Sequence, residues 1–341
     1  MKKYFSGCLL ALVLCGCGHR KTPVEAAFYH WQSKYSTDPA QSQLLDSLRV
    51  KKLYIKYFDV DWDRVTDRAL PEASVIINDN QYLPRQIIPV IFITNTVLAN
   101  TKPAAIPALA DSIYNKISRM DASEHIAPEE VQIDCDWSLS TRDRYFALLR
   151  EIRAQMPSGA LLSCTIRLHQ VKYREKTGVP PVDRGVLMFY NMGRIEDEKE
   201  VNTIYDPATA DKYLARLKDY PLSLDVALPI FSWGVVYESG KAKELLNGFS
   251  KKEMEGDKRF TAIGENRYKV DSTCFIHGYY LRQDAVVRIE EITPYICRQA
   301  AAQLSAHLKN EKRTVIFFDL QPNNTNRYDV SDFEKTLEIL R

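Results

Sequence analysis

"LLSCTIRLHQ", residues 161–170, alternates without a break: Leu162, Cys164, Ile166 and Leu168 fall on one side, and Ser163, Thr165, Arg167 and His169 on the other. Side chains of a strand repeat every two residues, so this strand has one apolar and one polar face. An open doubly wound sheet carries helices on both faces and wants both apolar. A polar face suits strands closed into a barrel, whose interior opens at one end into a site.

The rest of the chain agrees with closure. Strand-like runs recur at 26–31, 52–60, 87–94, 131–137, 161–169, 185–191, 222–231 and 314–320, with helical stretches that include 41–49, 106–120, 141–155 and 208–218. Strand then helix, repeated eight times, predicts an α/β fold of the (β/α)8 TIM-barrel type over residues 25–341. About 80 residues separate the last two strands, far more than an ordinary connection. Within them, "RYKVDSTCFIHGYYLRQDAVVRIEEIT" (267–293) reads as two or three antiparallel strands, followed by a helix at 294–308. A small α+β insertion between strands 7 and 8, at about 235–312, is therefore expected.

The amino terminus bears on location. Lys2 and Lys3 precede an apolar stretch from Phe5 to Val13, too short to span a bilayer, and then Leu14, Cys15, Gly16 and Cys17. This resembles the lipobox of a bacterial lipoprotein: residues 1–16 read as a signal peptide, Cys17 as the acylated residue and 17–24 as a tether. Gly18 does not match the aspartate that commonly retains lipoproteins in the inner membrane, so an outer-membrane lipoprotein facing the periplasm or the surface is expected. The formal charge of +2 falls to 0 once Lys2 and Lys3 leave, giving no net attraction to nucleic acid. Mixed-sign runs such as "RIEDEKE" (194–200) read as solvated surface. No CxxC motif, His/Cys cluster or Gly-rich phosphate loop occurs, so neither a metal nor a nucleotide cofactor is expected. Cys135 and Cys164 read as small buried hydrophobes, whereas a Cys274–Cys297 disulfide stays open.

Functional residues of such barrels gather at the carboxyl ends of the strands. Those ends carry Trp31, Asp59, Asp61, Trp62, Asn95, Asp134, Asp136, Trp137, Arg167, His169, Tyr190, Asn191, Trp233, Asp319 and Gln321. All four tryptophans are among them. Indole faces stack on the C–H surfaces of a sugar ring, and carboxylates and amides bond its hydroxyls. Core packing is the competing explanation for these tryptophans. "VQIDCDWSLS" (131–140) places Asp134 and Asp136 on one strand face, about 7 Å apart at a rise of about 3.3 Å per residue. Each raises the other's proton affinity, unless Arg167 on the next strand neutralises them as an ion pair.

"IDCDWS" (133–138) resembles the fourth-strand D-x-x-D-x-D-x-E motif of the family 18 glycoside hydrolases, the chitinase-like barrels. "LMFYNMG" (187–193) resembles their sixth-strand M-x-Y-D/N motif, and "VALPIFSWG" (226–234) their seventh-strand G-x-P-x-Y-G motif. The chain is also similar to a bacterial family of chitinase-like lipoprotein barrels with a QIDxD strand. The resemblance implies that Asp134 and Asp136 match the motif's two later aspartates, that Asp136 assists the acetamido group of a sugar, and that Tyr190 and Asn191 position it. It fails at the acid: Ser138 stands where the motif has glutamate, and a serine hydroxyl cannot protonate a leaving glycosidic oxygen. "IFITN" (91–95) also lacks the third-strand motif.

Two readings follow. In one, the chain hydrolyses glycosidic bonds with non-standard acid/base residues drawn from Asp59, Asp61, Asp134 and Asp136, on a glycan or peptidoglycan-like ligand held by Trp31, Asn95, Trp137, Arg167, His169, Tyr190, Asn191, Trp233, Asp319 and Gln321. In the other, the barrel is catalytically inactive and binds carbohydrate or protein in the same cleft.

Overall fold

The computed structural model describes residues 22–36, 38–77 and 86–341; the signal segment, Cys17 and most of the tether lie outside the described residues. Eight parallel strands form the centre: β1 (Val24–His30), β2 (Lys52–Asp63), β3 (Gln86–Ile93), β4 (Glu130–Asp134), β5 (Leu161–Arg167), β6 (Arg184–Met188), β7 (Ser223–Pro229) and β8 (Arg313–Phe318). They follow one another around the ring, and β1 pairs with both β8 and β2, which closes it. The (β/α)8 barrel expected from the alternation in β5 is the observed fold.

Outward residues such as Leu162, Cys164 and Ile166 pack into the apolar layer under the helices. Many of the inward residues are polar and bond to other strands, adjacent or across the barrel, in three tiers. At the amino end Arg184 grips Asp225 through Nε (2.9 Å) and Nη2 (2.7 Å), and Ser163 donates to Glu130 (2.6 Å). In the middle Tyr29 donates its hydroxyl to Gln132 at 2.6 Å. At the carboxyl end Thr165 donates to Asp134 at 2.5 Å.

A bulge in β2 decides which of its residues face inward. Its register with β3 shifts between Lys56 and Phe58, leaving Tyr57 as the extra residue. Tyr57 and Phe58 then both face the helix Ile106–Glu124, where Tyr57 donates to Asp121 (3.0 Å) and Lys116 lies 5.1 Å over the Phe58 ring. Beyond the bulge the inward parity changes, and Asp59 turns back to pair with Lys56 at 3.0 Å. The described residues between β2 and β3 hold an antiparallel strand, Arg68–Glu72, paired with the end of β2, and no helix.

The chain between β7 and β8 forms a five-stranded antiparallel sheet and a two-stranded hairpin, Cys274–Ile276 with Tyr279–Leu281. Its first strand, Ser232–Glu238, leaves β7 almost at once. The helix Pro294–Ser305 buries Cys297, Ala300, Ala301 and Leu304 in the barrel core, so it is the barrel's own helix and the insertion ends before it. Cys274 lies in the separate core of the insertion; it and Cys297 are free thiols.

Gly185 in β6 sits where a Cβ would lie 2.8 Å from Leu224 and 2.9 Å from Ile166. Gly185→Ala is expected to destabilise the barrel by about 1–3 kcal/mol in urea unfolding through overpacking. A loss below about 0.5 kcal/mol would show that Ile166 and Leu224 have room to yield.

Candidate functional site

The strand ends surround a cavity of about 460 Å³. One wall is an aromatic arc centred on Phe318, whose ring lies 5.5 Å from Trp31, 5.4 Å from Tyr190 and 5.8 Å from Phe231, with Trp233 a further 5.3 Å beyond Phe231. Trp233 is aimed by its indole nitrogen, which donates to Glu290 at 3.0 Å. Glu290 is fully buried with Arg288, at 2.7 Å, and also takes the backbone and hydroxyl of Thr203, each at 2.6 Å. A buried ion pair stands when its partners are otherwise well bonded; here both oxygens of Glu290 accept hydrogen bonds, and Arg288 donates to Glu290 and to the Asp197 carbonyl. The pair fastens the insertion to the loop after β6 and holds Trp233 on the rim.

The polar wall carries Asp134, Arg167, Tyr190, Asn191, Asp319 and Gln321. Asp134 is buried, and that burial raises its proton affinity; Arg167 and the Thr165 hydroxyl oppose the shift, while Asp136 and Asp59 add to it. Asp136 is exposed and paired by two bonds to Arg167, through Nε and through Nη2 at 3.0 Å. Asp319 is pushed up to about 6 by burial, against the hydrogen bonds from Gln321 and Asn324. Among the described residues the buried Tyr190 hydroxyl has no hydrogen-bond partner, and the charges of Arg167, Asp134 and Asp319 reach it. Asn191, in the left-handed region (φ 56°), borders the main cavity and a second one of about 370 Å³.

Other expected residues lie elsewhere. β4 ends at Asp134 rather than 137, and Trp137 turns into the core, stacked on Tyr145 at 5.0 Å with its indole nitrogen donating to the Thr177 carbonyl at 3.0 Å. β5 ends at Arg167, whose backbone N–H donates to Gln170 (2.8 Å) at the start of the helix Leu168–Lys172. His169 therefore leaves the inner face and lies exposed on the second cavity; burial of its ring lowers its proton affinity, partly offset by Asp136. Asp61 accepts from Thr94 (2.7 Å), Asn95 accepts from Thr141 (2.6 Å), and neither borders the main cavity. Trp62 lines a groove beside Arg68 and Leu109. Phe318, Phe231 and Asn324 join the site without having been expected. The inward parity of Phe318 was readable from "FFD" (317–319), whereas Asn324 had no signal of its own. Among the described residues no group of three or more His, Cys, Asp or Glu could hold a metal ion.

No protein-family model and no curated protein matches the sequence. Solved structures do match the fold. The spore cortex-lytic enzyme SleL of Bacillus cereus aligns with TM-score 0.57 and 11% identity over 94% of this chain and 75% of that one. A chitinase of Chromobacterium violaceum aligns at 0.54 with 8% identity, over 93% and 99% of the two chains. The family 18 chitinase ChiB of Flavobacterium johnsoniae aligns at 0.52 with 10% identity, over 94% of each. The fold is that of the family 18 chitinase barrels. At such identities the likeness is one of fold. The Ser138 hydroxyl lies 2.9 Å from Ser140 and 3.2 Å from Thr141.

Because Asp319 is protonated more readily in the folded chain than in the unfolded one, folding binds extra protons between about pH 4 and about pH 6. Its contribution to stability is present below that window and lost as pH rises through it. Unfolding free energies of the wild type relative to Asp319→Asn should therefore fall by about 2–3 kcal/mol from pH 4 to pH 7. A flat difference would place the Asp319 carboxyl in water.

Proposed function

We propose that the cleft binds a glycan containing N-acetylated sugars, of the chitin or peptidoglycan type. The observation that carries this reading is the aromatic arc of Trp31, Phe318, Phe231 and Trp233 set beside Asp134, Tyr190 and Asp319 in one cavity. Rings of that arc offer stacking surface to sugar C–H faces, and the opposite polar groups offer partners to hydroxyl and acetamido groups. The cavity's size falls within the range of about 300–1,000 Å³ common for small-molecule sites. The fold shared with chitinases and a cortex-lytic enzyme supports the same ligand class.

Binding is favoured over the family's hydrolysis. Ser138 has no proton of suitable acidity to give. Asp136 is tied by two bonds to Arg167. Hydrolysis by other carboxylates is the second reading, favoured by Asp59, whose charge reaches Asp134. Lys56 holds Asp59, which weakens that reading.

The location is part of the proposal: Cys17 carries acyl chains and anchors the protein to the outer membrane. The chain enters the barrel at the end opposite the cleft, where the Thr22 N–H donates to the Arg341 carbonyl at 2.6 Å, so a tether there would leave the cleft facing away from the membrane. A Cys17→Ser variant should lose incorporated palmitate and leave the membrane fraction. Retention of both would sink the anchor.

Calorimetry against chitooligosaccharides and muropeptides should detect binding that Trp233→Ala weakens about tenfold or more, the scale of losing one buried aromatic contact. Product analysis should show no turnover. Turnover abolished by Asp136→Ala would instead establish an enzyme.

A further inference from the structure

We propose that Asp319 is the proton-bearing contact of the cleft, a neutral carboxyl whose Oδ2 hydrogen is donated to an oxygen of the bound glycan. The inference rests on the glycan reading and specifies the chemistry of one wall. β8 stands four places from β4 in the ring of eight, so Asp319 faces Asp134 across the mouth. The family resemblance assigns the β4 and β6 side to an acetamido group and leaves the β8 side without a role.

The two oxygens of Asp319 have different surroundings. Oδ1 accepts from the amide of buried Asn324. The carbonyl oxygen of Asn324 takes a hydrogen bond from Arg327 at 3.4 Å, and Arg327 is fixed by Glu291 (3.0 Å) and the Ile230 carbonyl (2.6 Å). Reversing the Asn324 amide would set oxygen against carboxylate and NH2 against guanidinium, so Oδ1 remains an acceptor. Among the described residues the one side chain that donates to Oδ2 is Gln321, at 2.8 Å, and Gln321 is half-buried on the cavity wall with no other side-chain hydrogen bond. A ligand can therefore replace Gln321 at Oδ2.

Once Gln321 is displaced, the charge on Asp319 decides whether the contact is favourable. From β4 the cavity presents Asp134, a second acid; from β6 it presents the neutral phenol of Tyr190. The one cation on the wall, Arg167 of β5, gives two bonds to Asp136, and Lys56 of β2 is held by Asp59. Phe92 of β3, Trp31 after β1, Phe231 after β7, and Ser232, Trp233, Asn247 and Gly248 at the edge of the insertion bring no charge. Arg327 reaches Asp319 only through Asn324. With no cation left to pair it, a buried carboxylate is costly, while a carboxylic acid satisfies itself by donating. Burial pushes this group up to about 6, which makes the neutral form available in mildly acidic solution.

Calorimetric titration of the full chain with chitotetraose at pH 5, 6, 7 and 8 tests the assignment. The association constant should fall by about tenfold or more from pH 5 to pH 8, because binding then carries the cost of a proton. Asp319→Asn, whose NH2 donates at every pH, should flatten the profile. Gln321→Leu removes a bond that favours the ionised form and should move the fall to higher pH. It carries the test alone if circular dichroism shows Asp319→Asn to be unfolded. Equal affinity at pH 5 and pH 8, a slope that survives in folded Asp319→Asn, or an unmoved profile in Gln321→Leu overturns the role of Asp319 and leaves glycan binding standing. Absence of binding by the folded wild type at pH 5 removes both.

Discussion

A polar side chain aimed into a closed ring of strands has to find its partner on another strand, because there is no room for bulk water. Leaving such a group unpaired costs about 1–3 kcal/mol. Arg184 with Asp225, Ser163 with Glu130, Tyr29 with Gln132 and Thr165 with Asp134 meet this demand tier by tier. Each pair also ties the relative height of the strands it joins. A slip of one residue would turn every one of these groups into the apolar layer under the helices.

The same constraint separates scaffold from site. Most acids near the mouth are already committed: Asp136 to Arg167, Asp59 to Lys56, Asp61 to Thr94. Among the described residues, Gln321, half-buried, is the side chain that bonds Asp319 Oδ2, and the Tyr190 hydroxyl and Asp59 Oδ1 have no hydrogen-bond partner. Groups left in that state in a cavity lined by aromatic rings suit a ligand with hydroxyl and amide groups.

The insertion contributes through one buried pair. Arg288 and Glu290 would be a liability inside a small sheet, yet Thr203 and Trp233 fill the remaining valences of Glu290 and Arg288 reaches the Asp197 carbonyl. Glu290 thereby links the Trp233 ring to this network. The pair thus joins the loop after β6 to the insertion as one wall of the cleft.

Local alternation was enough to determine a good deal. The polar and apolar sides of β5, the eight strand runs and the long interval before β8 all follow from side-chain period and from spacing, which depend only on neighbours in the chain. The inward placing of Asp134 and Tyr190 followed in the same way, whereas Asp319, next to the inward Phe318, reaches the cavity from beyond the end of β8. What the sequence could not determine depends on distant partners. Asp59 faces inward only because β2 bulges at Tyr57, and Trp137 is lost to the core because Tyr145 and Thr177 capture it. His169 leaves its strand because Gln170 caps a helix there, and Asn324 reaches the site through a loop with no periodic signal. The tertiary structure decided these, because where a strand stops and whom a side chain meets are set by contacts between residues tens to hundreds of positions apart.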